Sequence, residues 1–268
     1  MDVEEVISVI NQAALKEASE LDLSGLGLRS VPQQVWNLSN LSFLDLGHNE
    51  LTALPSEIGY LTNLTGLVLA GNQLSGLPPE MVKLVQLDLL SVPDNHLTAL
   101  APEMFDLANL TYLDLSGNQL TKLPPEIGNL TRLASLSLYG NQLTELPPQI
   151  GNLTCLTSLS LNGNQLTELP PEISDLARLD SLSLGNNRLT AIPKSMVKLE
   201  KLNQGRSSIR FAGGFISSGR IVCPPPPRLR LTATGLDLSH NLLTILPTEI
   251  NQLKEEWGID LSGNPLMS

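Results

Sequence analysis

The side chains in this sequence that could act on a substrate are few and lie far apart. Its three histidines are His48, His96 and His240, and its two cysteines, Cys155 and Cys223, do not belong to a CxxC pair. The chain contains no HExxH, GxSxG or GxxxxGK[ST] motif, so a zinc hydrolase, a serine hydrolase and a P-loop nucleotide site all lack their usual signatures. We therefore expect no enzymatic activity and no cofactor.

Two pairs of aspartates are the remaining candidates for metal binding or acid–base chemistry. Asp22 and Asp45 are 23 residues apart, as are Asp237 and Asp260, and a repeat of that length would place the members of each pair side by side. Hard cations such as Ca²⁺ take about six to eight oxygen ligands, and neither pair has a third carboxylate or a histidine to complete it. We expect solvated acidic surfaces here and no metal site.

The elements that position these residues follow a repeat of 23 residues. The frame LxxLxLxxNxLxxLPxxIxxLxx runs from residue 41 to residue 201. Its LxL segment predicts a short strand with one buried face. Its LPxxIxxL segment predicts an extended stretch or a short helical turn, because proline does not fit a regular sheet. The asparagines of the frame, which we expect to turn inward and bond the backbone of neighbouring repeats, are Asn49, Asn72, Asn95, Asn118, Asn141, Asn164 and Asn187.

Composition supports stacked repeats and excludes several other classes of protein. Leucine fills 58 of 268 positions while aromatic residues make up only 3%, which suits many copies of one buried position. Nineteen prolines and 20 glycines argue against a bundle of long helices. The net charge of −11 repels phosphate and argues against nucleic acid as a partner. No apolar run approaches the roughly 18 residues of a membrane span.

The first residues predict an amphipathic helix that caps the repeat array. Val3, Val6, Ile7 and Ile10 lie near helical spacing, with the acidic residues Glu4 and Glu5 between the first two. This segment also lacks the continuous hydrophobic core of a secretory signal, so we expect a cytoplasmic protein. We predict one cooperative domain made of a capping helix, regular repeats, an irregular basic repeat or insertion, and final repeats, at residues 1–17, 18–201, 202–232 and 233–268.

The positions beside the buried strand leucines should form the inner, concave face of the array. In the amino-terminal repeats these positions vary and include aromatic side chains, whereas the later repeats carry mostly serine. Buried aromatic residues dominate interface energetics, which favours a protein-binding surface; the alternative is that these positions have drifted. The predicted partner-binding residues are Phe43, Asp45, Val68, Leu89, Tyr112, Asp114, Tyr139 and Asn162.

Residues 202–232 depart from the repeat in both spacing and charge. Six basic residues and no acidic one fall between positions 201 and 230, and the same stretch contains the four prolines Pro224–Pro227. One hypothesis is a loop that offers basic and aromatic side chains to an acidic partner, which could be a second copy of this protein. The alternative is an insertion that eroded one repeat. The candidate residues of this second surface are Arg206, Arg210, Phe211, Phe215 and Arg220.

Several motifs carry a resemblance to a known family. GNQLTELPPEI and PPEIGNLTxLxxLxLxGNQL resemble the 23-residue leucine-rich repeats of bacterial proteins and of plant intracellular Ras-group proteins. The opening QAALKEASELDLSGLGLRSVP is similar to the start of the repeat domain in bacterial Roco proteins, and GNPL is similar to its end. The resemblance implies an α/β solenoid, the leucine-rich-repeat horseshoe, with a parallel inner sheet. It also implies protein–protein binding without catalytic residues.

Two functional hypotheses follow from the residues and the resemblance together. The first is a non-enzymatic module that binds a protein partner through its concave face. The second is a sensory or scaffolding segment of a larger Roco-type GTPase, whose GTPase domain would follow the repeats. The end at NPLMS would leave the edge of the final repeat uncovered, and exposed sheet edges pair with other chains. Self-association through that edge therefore stays open.

Overall fold

A computed structural model describes residues 3–199, 236–252 and 258–266. The predicted basic surface, with Arg206, Arg210, Phe211, Phe215 and Arg220, lies outside the described residues, as does the whole segment 202–232. The domain boundaries at residues 17, 201 and 232 remain predictions.

The chain begins with helix α1, Val3–Leu15, which confirms the predicted amphipathic helix. Val6, Ile10 and Ala13 are buried, one turn or so apart, so a single apolar stripe faces the first repeat. Glu4 and Glu5 lie in the first turn, where their negative charges interact favourably with the positive end of the helix dipole. The helix contacts the 3-10 helix Gln33–Asn37 and so covers the first repeat.

Short parallel strands follow one another in a single sheet, in the order of the sequence. Paired residues are 23 positions apart, as in Leu44 beside Leu67 and Leu90 beside Leu113. The predicted α/β solenoid with a parallel inner sheet is therefore confirmed. The strands are β1 Glu20–Asp22, β2 Phe43–Asp45, β3 Gly66–Val68, β4 Leu89–Ser91, β5 Tyr112–Asp114, β6 Ser135–Ser137, β7 Ser158–Ser160, β8 Ser181–Ser183 and β9 Leu236–Asp237.

The returning segment of each repeat contains a five-residue helix on the outer side. Most of these helices are preceded by a proline in extended conformation. Proline has no N–H, and it suits the start of a helix because an N–H there would have no partner within the helix. Each of these helices ends with a hydrogen bond between residues three positions apart, which is typical of a 3-10 turn. An example is the bond from the Leu61 N–H to the Ile58 carbonyl, at 3.1 Å. The helices are Gln33–Asn37, Ser56–Tyr60, Pro79–Lys83, Pro102–Asp106, Pro125–Asn129, Pro148–Asn152, Pro171–Asp175 and Lys194–Lys198, followed by the α-helix α2, Thr248–Gln252.

The core is a set of leucine columns between the sheet and these helices. Leu113, Leu115 and Leu120 have no exposed surface, and their equivalents in neighbouring repeats are buried in the same way. Burying a leucine side chain contributes about 1.5–3 kcal/mol. Because each repeat completes its core only against its neighbours, stability is shared along the array.

The repeated asparagines point inward, as predicted. The Asn118 amide donates from Nδ2 to the carbonyls of Val92 at 2.9 Å and Leu115 at 3.1 Å. Its Oδ1 accepts from the Leu97 N–H at 3.0 Å. The same pattern recurs along the array, for example at Asn141. Each asparagine thus ties its own repeat to the one before it.

One residue before each asparagine, the chain turns through a left-handed backbone conformation. Glycine occupies this position in several repeats, as at Gly117 with φ 62°, because it has no Cβ to strain. His48, Asp94 and Asn186 occupy it in others, with φ 53°, 52° and 56°, and these residue types tolerate that conformation better than most. Only some repeats therefore carry a residue other than glycine at this turn after the strand.

The sheet passes from β8 directly to β9. Leu182 pairs with Leu236, and the Leu184 N–H donates to the Asp237 carbonyl at 2.8 Å. Asn241 accepts from the Leu189 N–H at 3.0 Å, so it takes the position that follows Asn187 in the asparagine column. A bridge between Asp237 and Asp260 extends the ladder by one more repeat.

Candidate functional site

The candidate site is the concave face, which we define as the strand side chains that flank the buried middle leucine, together with the turn that follows each strand. In β2, for example, Leu44 is buried while Phe43 and Asp45 are partly exposed on either side. The structure places all eight predicted partner-binding residues on this face, in β2 to β5 and in the turns that follow β6 and β7. They are held on a regular sheet and share one surface.

The eight residues differ strongly in exposure. Tyr139 is 42% exposed, whereas Val68, Leu89 and Asp114 are only 5%, 4% and 7% exposed. Parallel strands lie about 4.8 Å apart, so long side chains on one strand cover shorter ones on the next. Val68 and Leu89 therefore form the floor of the surface. Phe43, Asp45, Tyr112 and Asn162 are half-buried.

Phe43 extends over the neighbouring strand because that strand carries a glycine. A methyl group at Gly66 would lie 2.5 Å from Cδ2 and 2.9 Å from Cε2 of the Phe43 ring, so the ring fills the space where a side chain would stand. A glycine inside a strand often marks such a close approach. Gly66 is therefore part of the site, and its place in the strand column is the sequence signal for it.

The carboxylates of the face are partly withdrawn from water. Asp45 accepts a bond from the Gly47 N–H at 2.8 Å; burial raises the pKa of its carboxyl, and the neighbouring charge of Asp22 raises it further. Burial likewise raises the pKa of Asp114, although the N–H and the hydroxyl of Ser116 donate to it at 3.0 and 2.7 Å.

Both predicted aspartate pairs are confirmed as neighbours. Asp22 pairs with Asp45 across β1 and β2, and Asp237 bridges to Asp260. Backbone bonding from Ser262 lowers the pKa of Asp260. Within the ranges that the structure describes, no group of three or more histidine, cysteine or acidic side chains is placed to hold a metal ion.

Asn162 takes part in a network at the carboxy-terminal end of the face. Its Nδ2 donates to the Asp237 carboxylate at 3.3 Å, and its Oδ1 accepts from the Gly185 N–H at 2.8 Å. A methyl group at Gly185 would lie 2.8 Å from both Asp237 Oδ2 and Ser239 Oγ. The site around Asn162 thus also includes Gly185, Asp237 and Ser239. The sequence did not show this association, because the 23-residue spacing is interrupted between Asn187 and Asn241.

Between these two regions the face is almost uniform. The side chains that flank the middle leucine are half-buried hydroxyls. They offer hydrogen bonds and little apolar area. The residues concerned are Ser135, Ser137, Ser158, Ser160, Ser181 and Ser183.

A cavity elsewhere in the described part of the chain is too small to be a substrate site. It has a volume of about 90 Å³ and is lined by Pro78, Met81, Leu100 and Met104, among others. Sites for drug-sized ligands usually measure about 300–1,000 Å³. Among the described residues, none of the helices has the length and apolar character needed to cross a membrane.

Family models agree with the repeat frame. A model described as a leucine-rich repeat region matches residues 98–163, and two models of the leucine-rich repeat match residues 154–204 and 40–61. A search of curated protein sequences found no match.

Solved structures with the same fold include plant receptors and a bacterial effector. The leucine-rich-repeat ectodomain of the Arabidopsis thaliana receptor kinase GASSHO1/SCHENGEN3, in complex with CASPARIAN STRIP INTEGRITY FACTOR 2, is 33% identical with a TM-score of 0.70 over 89% of this chain and 26% of that one. The plant peptide hormone receptor RGFR1, in complex with RGF2, is 26% identical with a TM-score of 0.70 over 96% and 42%. The effector YopM of Yersinia pestis is 25% identical with a TM-score of 0.63 over 97% and 65%.

The chain therefore spans less than two thirds of the length of each of these three proteins. The family models, the parallel sheet and the inward asparagines agree with one another. This chain belongs to the leucine-rich repeat proteins, with repeats of the bacterial type.

Proposed function

We propose that the chain is a non-enzymatic module that binds a protein partner through its concave face. The observation that carries the proposal is the set of aromatic side chains on a regular sheet: Phe43, Tyr112 and Tyr139 share one face, and Val68 and Leu89 form an apolar floor between them. Aromatic anchors on a preformed surface lose little conformational freedom on binding. Two relatives of known structure, GASSHO1/SCHENGEN3 and RGFR1, were solved in complex with other molecules, which supports a binding role.

The proposal is tested by partner capture with a matched pair of variants. The double variant Tyr112→Ser, Tyr139→Ser should abolish recovery of a partner in a pull-down with the full chain, because it removes two anchors of the concave face. Its melting temperature should stay close to that of the parent, since neither side chain belongs to the leucine core.

The control is Tyr60→Ser. Tyr60 is 62% exposed at the end of the 3-10 helix Ser56–Tyr60, on the outer side of the array. Partner recovery by this variant should match the parent. If the concave double variant retains its partner, or if Tyr60→Ser loses it equally, the partner does not bind through the concave face.

A second candidate is a sensory or scaffolding segment of a larger protein, such as a Roco-type GTPase. It is supported by the resemblance of the opening segment QAALKEASELDLSGLGLRSVP to the start of the repeat domain in Roco proteins. The gene sequence beyond Ser268 tests it, because a P-loop motif downstream would favour this candidate. Cytoplasmic location is part of both proposals, and fractionation of cells that express the full chain tests it.

A further inference from the structure

The described part of the concave face carries several acidic side chains and no lysine or arginine. Its histidines, His48 and His240, lie in the turns after β2 and β9. In each repeat this face lies within six residues, from the first residue of the strand to the left-handed turn, for example 43–48. Within the described parts of the chain, these segments contain no lysine or arginine. They contain the carboxylates Glu20, Asp22, Asp45, Asp94, Asp114, Asp237 and Asp260.

The described lysine and arginine residues lie on other surfaces of the array. Arg29, outside the face, is paired with Glu50 at 3.0 Å. Lys83 and Lys198 end 3-10 helices on the outer side. Among the described residues, therefore, no lysine or arginine of the concave face neutralises its negative charge. His48 acts on Asp45 and His240 on Asp260, and the other carboxylates of the face remain available to a partner.

The acidic residues are crowded at the amino-terminal end of the face. Asp22 and Asp45 are paired across adjacent strands, and Glu20 pairs with Phe43 in the same ladder. Further along, the charge of Asp94 adds to the effect of burial in raising the pKa of Asp114. Like charges held this close repel one another, so a cation between them would relieve the repulsion.

Apolar side chains lie among these carboxylates. The Phe43 ring covers Gly66, and Leu89 and Tyr112 continue the same column on the next two strands. Phe43 and Tyr112 are three strands apart, or about 14 Å, which an extended peptide covers with about four residues. Aromatic faces also attract the guanidinium group of arginine. The combination suits a ligand with both positive and apolar side chains.

We propose that the amino-terminal half of the concave face selects cationic peptide segments that also carry an aromatic or aliphatic side chain. The proposal rests on the proposed function and adds the chemical class of the partner. Asp22 and Asp45 meet the positive charges, while the Phe43–Tyr112 column takes the apolar side chain.

Selection from a random peptide library displayed on phage, with the full chain as bait, tests this proposal. Selected peptides should be enriched in arginine or lysine together with an aromatic or aliphatic residue, and depleted in aspartate and glutamate. A synthetic peptide of the selected sequence, measured by fluorescence anisotropy, should bind more weakly as salt rises, because salt screens the exposed charges.

Matched variants locate the effect. Asp22→Asn with Asp45→Asn should weaken binding of that peptide by about fivefold or more, since fields of this kind change association rates by about 10 to 1,000 times. The control, Glu145→Gln with Glu168→Gln, removes two exposed charges at equivalent positions of adjacent repeats outside the concave face. Its affinity should stay within about twofold of the parent.

Several outcomes would overturn the selectivity for cations. They are selected peptides that are neutral or acidic, a library that yields no peptide, and an aspartate double variant that binds like the control. A dimer in analytical ultracentrifugation that the aspartate double variant dissociates would assign the face to a second copy and would also overturn it. If Tyr112→Ser, Tyr139→Ser still abolishes capture of a protein partner in any of these cases, the proposed function stands without the selectivity.

Discussion

The two halves of the concave face share one backbone and differ in their side chains. Strands β2 to β5 present aromatic, aliphatic and acidic residues, whereas β6 to β8 present serine. Beneath them the core is the same: Leu113 and Leu159 are both buried, and Asn118 and Asn164 make equivalent bonds. The fold therefore depends on the buried columns. The residues of the concave face can change without disturbing those columns, so their variation can reflect the partner that the face binds.

The largest expected effect tests whether the halves share a core. Leu113→Ala and Leu159→Ala should each lower the free energy of unfolding by about 2–5 kcal/mol, the usual cost of truncating a buried leucine. Chemical denaturation followed by circular dichroism measures both. Losses that differ by more than about 2 kcal/mol would show that the halves are not energetically equivalent.

The asparagine column should give the next largest effect. Asn118→Ala leaves the buried Leu97 N–H without its acceptor, and an unsatisfied buried polar group costs about 1–3 kcal/mol. The Val92 carbonyl loses the bond from Asn118 but keeps one from Asn95 Nδ2 at 3.3 Å. Asn164→Ala should destabilise the chain to a similar extent in the same denaturation experiment. Leaving the stability unchanged at either site would contradict a structural role for the inward amides.

A smaller effect, confined to one half, comes from Asp114. Burial raises the pKa of its carboxyl in the folded chain, so the folded state binds its proton more tightly than the unfolded state does. The stability from this linkage is present at low pH and is lost as pH rises from about 3.9, the ordinary value for aspartate, through the raised value. Asp114→Asn removes the titration and keeps an oxygen that can accept from Ser116.

Denaturation across acidic to neutral pH measures this linkage. The variant should gain stability relative to the parent as pH rises. Ser137→Ala is not a suitable control, because the Ser137 hydroxyl bonds to Asp114; Ser181→Ala is suitable. A variant whose stability difference from the parent is the same at every pH would contradict the raised pKa.

The smallest effect is expected in the serine half. Ser158→Ala with Ser160→Ala should change the free energy of unfolding by no more than about 0.5 kcal/mol per site, as is usual for partly exposed residues outside special structural features. Partner capture should also be unchanged. A loss of capture would extend the binding surface into the serine half and remove the functional distinction between the halves.

The buried columns could be predicted from the sequence because the 23-residue spacing repeats them. Leu113, Asn118 and the short helix Pro125–Asn129 all occupy positions that the frame assigns. Exposure on the concave face could not be predicted in the same way. It depends on which neighbour covers which, as with Phe43 over Gly66, and a repeat frame carries no information on side-chain rotamers.

The carboxy-terminal end of the site was hidden for a different reason. Asn162 and Asp237 are 75 positions apart, and the frame fails between them, so no register was available to bring them together. The two aspartate pairs, by contrast, follow the 23-residue spacing and could be predicted.

The direct pairing of β8 with β9 has a consequence for how the chain folds. Along most of the sheet, each strand finds its partner 23 positions away, but Leu182 pairs with Leu236, 54 positions away. Closing the longer loop costs about 0.8 kcal/mol more in chain entropy. Folding of a repeat array can begin at any stable group of repeats and spread outward. We therefore expect it to start among the regular repeats, with the last strands docking afterwards.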